Sequence, residues 1–260
     1  MALPSQLQTT ATRETFAGVT YQIEGELVPV LHVGLSQMPI YFEHHILLWK
    51  EPNVQIGIKP LKGAFKRMLS GMPIFMTETQ GTGHIGFSRD GAGHIVAMPL
   101  YPGQVLDVRE HQFLAATGNL AYNFAFVKGA ANILFSGTGL FVDTFHCAPG
   151  DTAGGGMLFL HGHGNVFEVV LQPGEMIDVE PGGWLYKDQT VQMQTMYQGL
   201  KTGFFASAGQ LVWNRFTGPG RVGIQSMYMP PVGTDGNQSG STGAPGVGGV
   251  AKAIGDLLGN

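Results

Sequence analysis

Charge is scarce in this chain of 260 residues. Asp, Glu, Lys and Arg make up 12% of it, about half of the ~25% that soluble domains carry on average. The 14 Lys and Arg are outnumbered by 18 Asp and Glu, for a net charge of −4. This balance excludes a strongly basic protein of the kind that attracts nucleic acid or anionic lipid. Sparse charge also leaves little to oppose contact between copies of the chain.

Cysteine and long apolar runs are equally rare. The single cysteine, Cys147, excludes an intrachain disulfide and fits a reducing compartment. No stretch of 18 apolar residues occurs, and the first residues, MALPSQLQTT, lack the basic start and apolar core of an export signal. We therefore expect no membrane span and a cytoplasmic location.

Glycine, in contrast, is abundant, with 40 residues in 260, about twice the usual ~7%. From Val28 onward, short alternating runs are separated by Gly and Pro, which is typical of strands and turns. In the stretch NLAYNFAFV, for example, Leu120, Tyr122, Phe124 and Phe126 share one parity, as on a strand with one buried face. The pattern predicts an all-β fold.

Part of the sequence occurs more than once. The stretch 171–187, LQPGEMIDVEPGGWLYK, repeats the stretch 100–116, LYPGQVLDVREHQFLAA, at a constant offset of 71 residues. A fainter copy near 39–50 aligns with the stretch 100–116 at an offset of 66 residues. Self-similarity at such a period indicates a repeat architecture. The positions shared by the two stronger copies are Leu100/Leu171, Pro102/Pro173, Gly103/Gly174, Asp107/Asp178, Val108/Val179 and Leu114/Leu185.

A second signature recurs at the same offsets. Ser70-Gly71, Ser136-Gly137 and Ser207-Ala208 each precede a short apolar run. Three copies therefore span about residues 28–91, 92–162 and 163–230. Because each unit is too small to close its own core, we expect the three to pack about a pseudo-threefold axis in one fused domain.

Two segments lie outside the repeats. Residues 1–27 form a polar N-terminal segment, and residues 231–260 begin as a Gly/Ser-rich flexible linker. Val250, Ile254, Leu257 and Leu258 then follow the spacing of one helix face, although so short a helix is marginal alone. This tail is interpreted either as a docking segment for a protein partner or as a frayed end.

Several spaced motifs carry a resemblance to a known family. They are the Pro-Gly-(Glu/Gln) turns before an apolar-Asp-Val strand, the Gly-x₆-Ser-Gly segments, and FTGPGRVGIQSM near the end of the repeats. Over residues 28–230 the chain resembles the Altered Inheritance of Mitochondria protein 24 family, as a bacterial-type member. The resemblance implies three repeats similar to the trp RNA-binding attenuation protein, a short relative of the double-stranded β-helix. It supplies no catalytic residue. The first repeat departs from the pattern, with Ser36-Gln37 in place of Pro-Gly.

His161, His163 and Glu168 are the leading candidates for a metal site. The stretch GGMLFLHGHGNVFEVVLQPG that contains them is similar to the first metal-binding motif of cupins. Two imidazoles at i and i+2 on a strand share a face and could hold a divalent metal. The sequence lacks the downstream histidine that a cupin supplies as its last ligand, so the alternative is a polar pair at a strand end.

The other reactive side chains form no recognised pattern. They are scattered histidines, the His146-Cys147 pair, and the group Lys59, Lys62, Lys66 and Arg67. Because neighbouring strand residues point apart and short charge runs are usually exposed, we expect solvated or structural roles for them. The glycine runs are not followed by a helix with Lys-Ser/Thr, which excludes a phosphate-binding loop of that type. We expect no catalytic residue and no cofactor.

Two hypotheses from different classes follow. The first is a non-enzymatic β scaffold, a homo-oligomer or binding protein of unassigned process. The alternative is a cupin-like metal or small-ligand site at His161 and His163. Metal analysis of protein purified without a His-tag distinguishes the two.

We predict that the chain does not bind RNA, although the fold that the resemblance implies is that of an RNA-binding protein. With 14 Lys and Arg against 18 Asp and Glu, a basic binding ring is not expected. Titration of labelled single-stranded RNA at low and high salt tests this. Salt-sensitive, submicromolar binding would contradict it.

Overall fold

The computed structural model describes residues 5–6, 14–61, 75–88, 91–127, 140–197 and 212–227. These residues form β-strands and one 3₁₀ turn, His44–Ile46, and contain no α-helix. The all-β prediction is therefore confirmed. The tail and the Gly71 and Gly137 signatures lie outside the described residues.

The strands fall into a leading group and three sets of six. The leading strands are β1 Ser5–Gln6, β2 Glu14–Phe16 and β3 Val19–Glu24. The first set is β4 Val30–Leu35, β5 Ile40–Phe42, β6 Leu47–Lys50, β7 Gln55–Pro60, β8 Phe75–Gln80 and β9 Gly83–Phe87. The second set is β10 Gly93–Leu100, β11 Val105–Arg109, β12 Phe113–Thr117, β13 Leu120–Val127, β14 Leu140–Cys147 and β15 Gly156–His163. The third set is β16 Val166–Leu171, β17 Met176–Val179, β18 Trp184–Asp188, β19 Gln192–Tyr197, β20 Val212–Thr217 and β21 Gly220–Gln225.

The same antiparallel pairings occur in each set. The first strand pairs with the sixth, the second with the fifth, the third with the sixth and the fourth with the fifth. A β-bulge follows the first residue of every third strand, at Leu47, Phe113 and Trp184. These residues have the 66- and 71-residue offsets of the sequence repeats. Packing about a pseudo-threefold axis stays a prediction.

Successive sets share sheets. Sheet I has the order β2-β3-β4-β9-β6, and sheet II, β10-β15-β12-β5-β8-β7, combines half of the second set with half of the first. Sheet III, β1-β16-β21-β18-β11-β14-β13, combines the third and second sets in the same way, and sheet IV is β17-β20-β19. Neighbouring sets are thus joined by backbone hydrogen bonds as well as by side-chain packing.

Three buried clusters fill the spaces between the sheets. The first lies between sheets I and II around Phe87 and Phe159, the second between II and III around Phe113 and Phe145, and the third between III and IV around Trp184. Facing sheets with alternating inward side chains form such cores in β-sandwiches. None of these clusters of described residues contains side chains from both sheet I and sheet IV.

The two Pro-Gly turns have the backbone that their sequence predicts. Gly103 has φ 87° and Gly174 φ 79°, the positive values that a type II turn requires at its second corner. The Glu175 N–H donates to the Gln172 carbonyl at 3.0 Å, and the Gln172 N–H donates back to the Glu175 carboxylate at 2.9 Å. The corresponding turn of the first set, at Ser36-Gln37, has no residue with positive φ and is a different turn.

Gly174→Val should lower the free energy of unfolding by about 1 to 3 kcal/mol, because a β-branched residue is strained at positive φ. No atom lies within 4 Å of the position that a Cβ would take, so the cost comes from the backbone alone. Gly174→Asn is the control and should lose less, since asparagine tolerates this conformation. Thermal melting of the three proteins measures the effect, and an unchanged valine variant would contradict the turn assignment.

Candidate functional site

His161 and His163 lie side by side on β15. Their ring centroids are 4.9 Å apart at an interplanar angle of 79°, and their exposed fractions are 0% and 7%. The His161 ring covers Gly93 on the paired strand β10, where an added Cβ would come within 2.9 Å of the ring. The His163 backbone N–H donates to the Gln225 side-chain oxygen at 3.0 Å. The pair shares a face, as its spacing predicts, but it is enclosed by neighbouring strands.

Glu168, the proposed third ligand, has a different neighbour. The Tyr186 hydroxyl on β18 donates a hydrogen bond to its carboxylate. Burial and this carboxylate raise the pKa of Tyr186 well above its usual range. Within the described part of the chain, no three His, Cys, Asp or Glu side chains are grouped so that they could hold a metal ion. The structure therefore brings the two histidines together without Glu168.

The other sequence candidates make structural contacts. The Cys147 thiol donates to the Leu100 carbonyl at 3.3 Å, and burial raises its pKa, which disfavours a reactive thiolate. Lys59 is paired with Glu78 at 2.7 Å. Lys62, Lys66 and Arg67 lie outside the described residues. Gly81 and Gly155 of the two glycine runs have positive φ in connections between strands.

An ion pair joins the second set to the third. Lys187 Nζ on β18 lies 2.7 Å from Asp107 Oδ2 on β11, and the two side chains are only 9% and 15% exposed. The Thr144 hydroxyl donates to the other Asp107 oxygen at 3.0 Å. Sequence comparison missed this pair, because the repeats align Asp107 with Asp178 but do not reveal which strands of different sets lie together.

Among the described residues, three sheets end in equivalent strands. The fourth strand of each set, β7, β13 or β19, is the last strand of sheet II, III or IV respectively. Their sequences, QIGIKP, LAYNFAFV and QMQTMY, contain one charged residue, Lys59. On β7, Ile56 is 38% and Ile58 70% exposed, and Phe75 on the neighbouring β8 is 47% exposed. Apolar side chains thus accompany the β7 edge, with which no described strand other than β8 pairs.

A carboxyl group is buried at Asp143 on β14, with an exposed fraction of 5%. Burial raises its pKa to about 7, the nearby Glu43 and Glu110 add to the increase, and a hydrogen bond from the Tyr122 hydroxyl at 2.7 Å opposes it. The sequence carried a signal for this group, since Asp143 interrupts an apolar run. Its position in the fold was not predictable.

A shallow groove of about 150 Å³ crosses the outer face of sheet I. Gly34 forms part of its floor, and His32 and His84 stand beside it. Each imidazole has a carboxylate neighbour, with His84 2.9 Å from Glu51 and His32 3.6 Å from Glu24. No sequence motif pointed to this groove.

Comparison with known proteins identifies the family. The sequence model described as "Mitochondrial biogenesis AIM24" matches residues 21–227. The chain belongs to the AIM24 family. A search of curated proteins returned no match. Among solved structures, this AIM24 chain is similar to the crystal structure of protein SPYM3_0169 from Streptococcus pyogenes, with a TM-score of 0.64 and 20% identity over 81% of this chain and 94% of the other. At that identity the likeness extends to the fold alone.

Among the described residues, none of the helical segments has the length and apolar character needed to cross a bilayer.

Asp143→Asn should remove a pH dependence of stability. An aspartate with a pKa of about 7 in the folded chain binds its proton more tightly there than when unfolded, so the free energy of unfolding falls as pH rises from about 4 to about 7. We expect the asparagine variant to be more stable than the wild type by about 2 to 4 kcal/mol near pH 8.

Urea unfolding at about pH 5 and about pH 8 measures this difference. Asp151→Asn is the control, because that carboxylate has a lowered pKa, owing first to the Asn119 side chain that donates to it. The free energy of unfolding of the Asp151→Asn variant should fall between these two pH values by as much as that of the wild type. An Asp143→Asn variant with the same fall would show that Asp143 is not the titrating group.

Proposed function

We propose that this AIM24-family chain is a non-enzymatic β scaffold that assembles with copies of itself. The proposal is supported by the sheet ends: among the described residues, β6, β7, β13, β17 and β19 each end a sheet, and β7, β13 and β19 have almost no charge. Edge strands of soluble proteins are normally protected by charged side chains, proline, bulges or a covering segment, because unpaired N–H and C=O groups attract further strands.

The protection at these edges is slight. β13 has eight residues and no charged side chain. The one charge on β7, Lys59, is paired with Glu78 on the neighbouring strand, so it opposes an approaching strand less than a free charge would. Pro60 blocks only the end of that strand. Such edges favour pairing with another β-strand over exposure to water.

The hydrogen bonds of three potentially reactive groups support a non-enzymatic role. Asp143 accepts from Tyr122, Glu168 from Tyr186, and the Cys147 thiol donates to a backbone carbonyl. A catalytic site needs a nucleophile or acid–base group that faces a space where substrate can bind. These groups are instead held within packed sheets.

The location and the tail belong to the same proposal. The cytoplasm is proposed because the chain has one cysteine and therefore no intrachain disulfide. Residues 231–260 are proposed as a tether for a protein partner, and affinity capture with and without this segment tests that role. Equal capture by both forms would contradict it.

Light scattering after size exclusion should give a mass above that of one 27.8 kDa chain, and the mass should rise between a low and a high protein concentration. A mass of one chain at both concentrations would contradict the assembly proposal.

A further inference from the structure

The junction between successive sets occurs twice in this chain with one register. The second strand of the first set, β5, pairs with the third strand of the second set, β12, so that Tyr41 lies opposite Ala116. The second strand of the second set, β11, pairs with β18 of the third set, so that Asp107 lies opposite Lys187. The two residue pairs differ by the repeat offsets of 66 and 71, so the two junctions are equivalent.

A third junction of this kind would join β17 to β6. These strands end sheets IV and I, and no ladder joins them among the described residues. The same offsets place Asp178 of β17 opposite Lys50 of β6. The first set therefore contains one half of a further junction, β6, and the third set contains the other half, β17.

The exposure of apolar side chains on β6 and β17 agrees with a missing partner strand. Leu114 and Leu185, in the third strands of the second and third sets, are both 0% exposed. The equivalent residue of β6, Leu48, is 58% exposed. On the opposite half, Met176 of β17 is 54% exposed. These side chains lie at the positions that a paired junction covers.

The charges at the two ends are complementary. At the existing junction, Asp107 accepts from Thr144 in its own set and pairs with Lys187 across the junction. Asp178 forms two hydrogen bonds of 2.7 Å with Arg215, the residue equivalent to Thr144. Among the described residues, no lysine lies beside Asp178 as Lys187 lies beside Asp107, and Lys50 occupies the position equivalent to Lys187 in the first set.

One difference between the first set and the other two limits the length of a ladder between β17 and β6. Gly118 and Gln189 donate backbone hydrogen bonds across the two existing junctions, to Pro39 and Val105. The equivalent residue of the first set is Pro52, which has no N–H to donate. A ladder between β17 and β6 would therefore lack this backbone hydrogen bond. The Asp178–Lys50 pair at its centre would then contribute a larger share of the contact.

We propose that β17 of one copy pairs with β6 of the next, which continues the sheet system from chain to chain. The proposal rests on the scaffold function above and selects β17 and β6, among the sheet ends, as its interface. Because the two halves differ, the contact is head-to-tail, and repetition gives a closed ring or a filament rather than a symmetric dimer.

The test is a charge reversal at the interface. Lys50→Glu places a glutamate opposite Asp178 and should reduce the mass in light scattering to 27.8 kDa at concentrations where the wild type assembles. Lys50 is exposed, so the folded chain should keep its melting temperature. Gln104→Glu, which adds a negative charge to the exposed turn before β11, is the matched control and should assemble like the wild type.

Rescue distinguishes the pair from a general charge effect. Lys50→Glu combined with Asp178→Lys and Arg215→Thr restores opposite charges, and the threonine, which stands at the equivalent position 144, removes repulsion beside the new lysine. This variant should regain the assembled mass. A carbodiimide crosslink between Lys50 and Asp178 should join isotopically labelled to unlabelled chains.

The outcomes separate the two proposals. A Lys50→Glu variant that assembles like the wild type overturns this interface and leaves the scaffold function standing. A Lys50–Asp178 crosslink found only within one chain also overturns it, because the two edges would then close on each other. A wild type of 27.8 kDa at every concentration contradicts the scaffold function itself.

Discussion

Backbone pairing between neighbouring sets is the interaction on which the rest of this structure depends. Sheets II and III each combine strands of two neighbouring sets, so neither sheet is complete until both sets supply their strands. The buried clusters form only when these composite sheets face each other. A single set of six strands would leave both a sheet edge and a sheet face uncovered, which costs unpaired backbone groups and exposed apolar surface.

The sequence predicted the features that depend on local chemistry. Positive φ at Gly103 and Gly174 follows from the Pro-Gly turns, and the alternation in Leu120–Val127 corresponds to strand β13. Contacts between sets were not predictable in the same way. The offset of 71 aligns Asp107 with Asp178, yet the partner of Asp107 is Lys187, because a ladder depends on which edges meet and in which register. Periodicity alone carries no such information.

The same distinction applies to the candidate site. The i, i+2 spacing placed His161 and His163 on one face of a strand, which the structure agrees with. It could not show that Glu168 would contact Tyr186, since that contact joins strands β16 and β18 through β21. Buried polar pairs of this kind restrict the register, because a shifted ladder would leave a hydroxyl or carboxylate without its partner inside the protein.

The recurring bulge of the third strands has a consequence for how the repeats diverged. Trp49 lies opposite Gly86 in the first set, and Tyr186 lies opposite Gly223 in the third, each ring occupying the space above its glycine. In the second set the sizes are exchanged, with Ala115 opposite Phe159. The side-chain volume at this place is thus shared between two strands, and either strand can supply the large member. Because Tyr186 and Phe159 are buried, the second and third sets tolerate neither two large side chains nor two small ones at this site. The two positions must change together there, and a transplanted strand would need its partner strand transplanted with it.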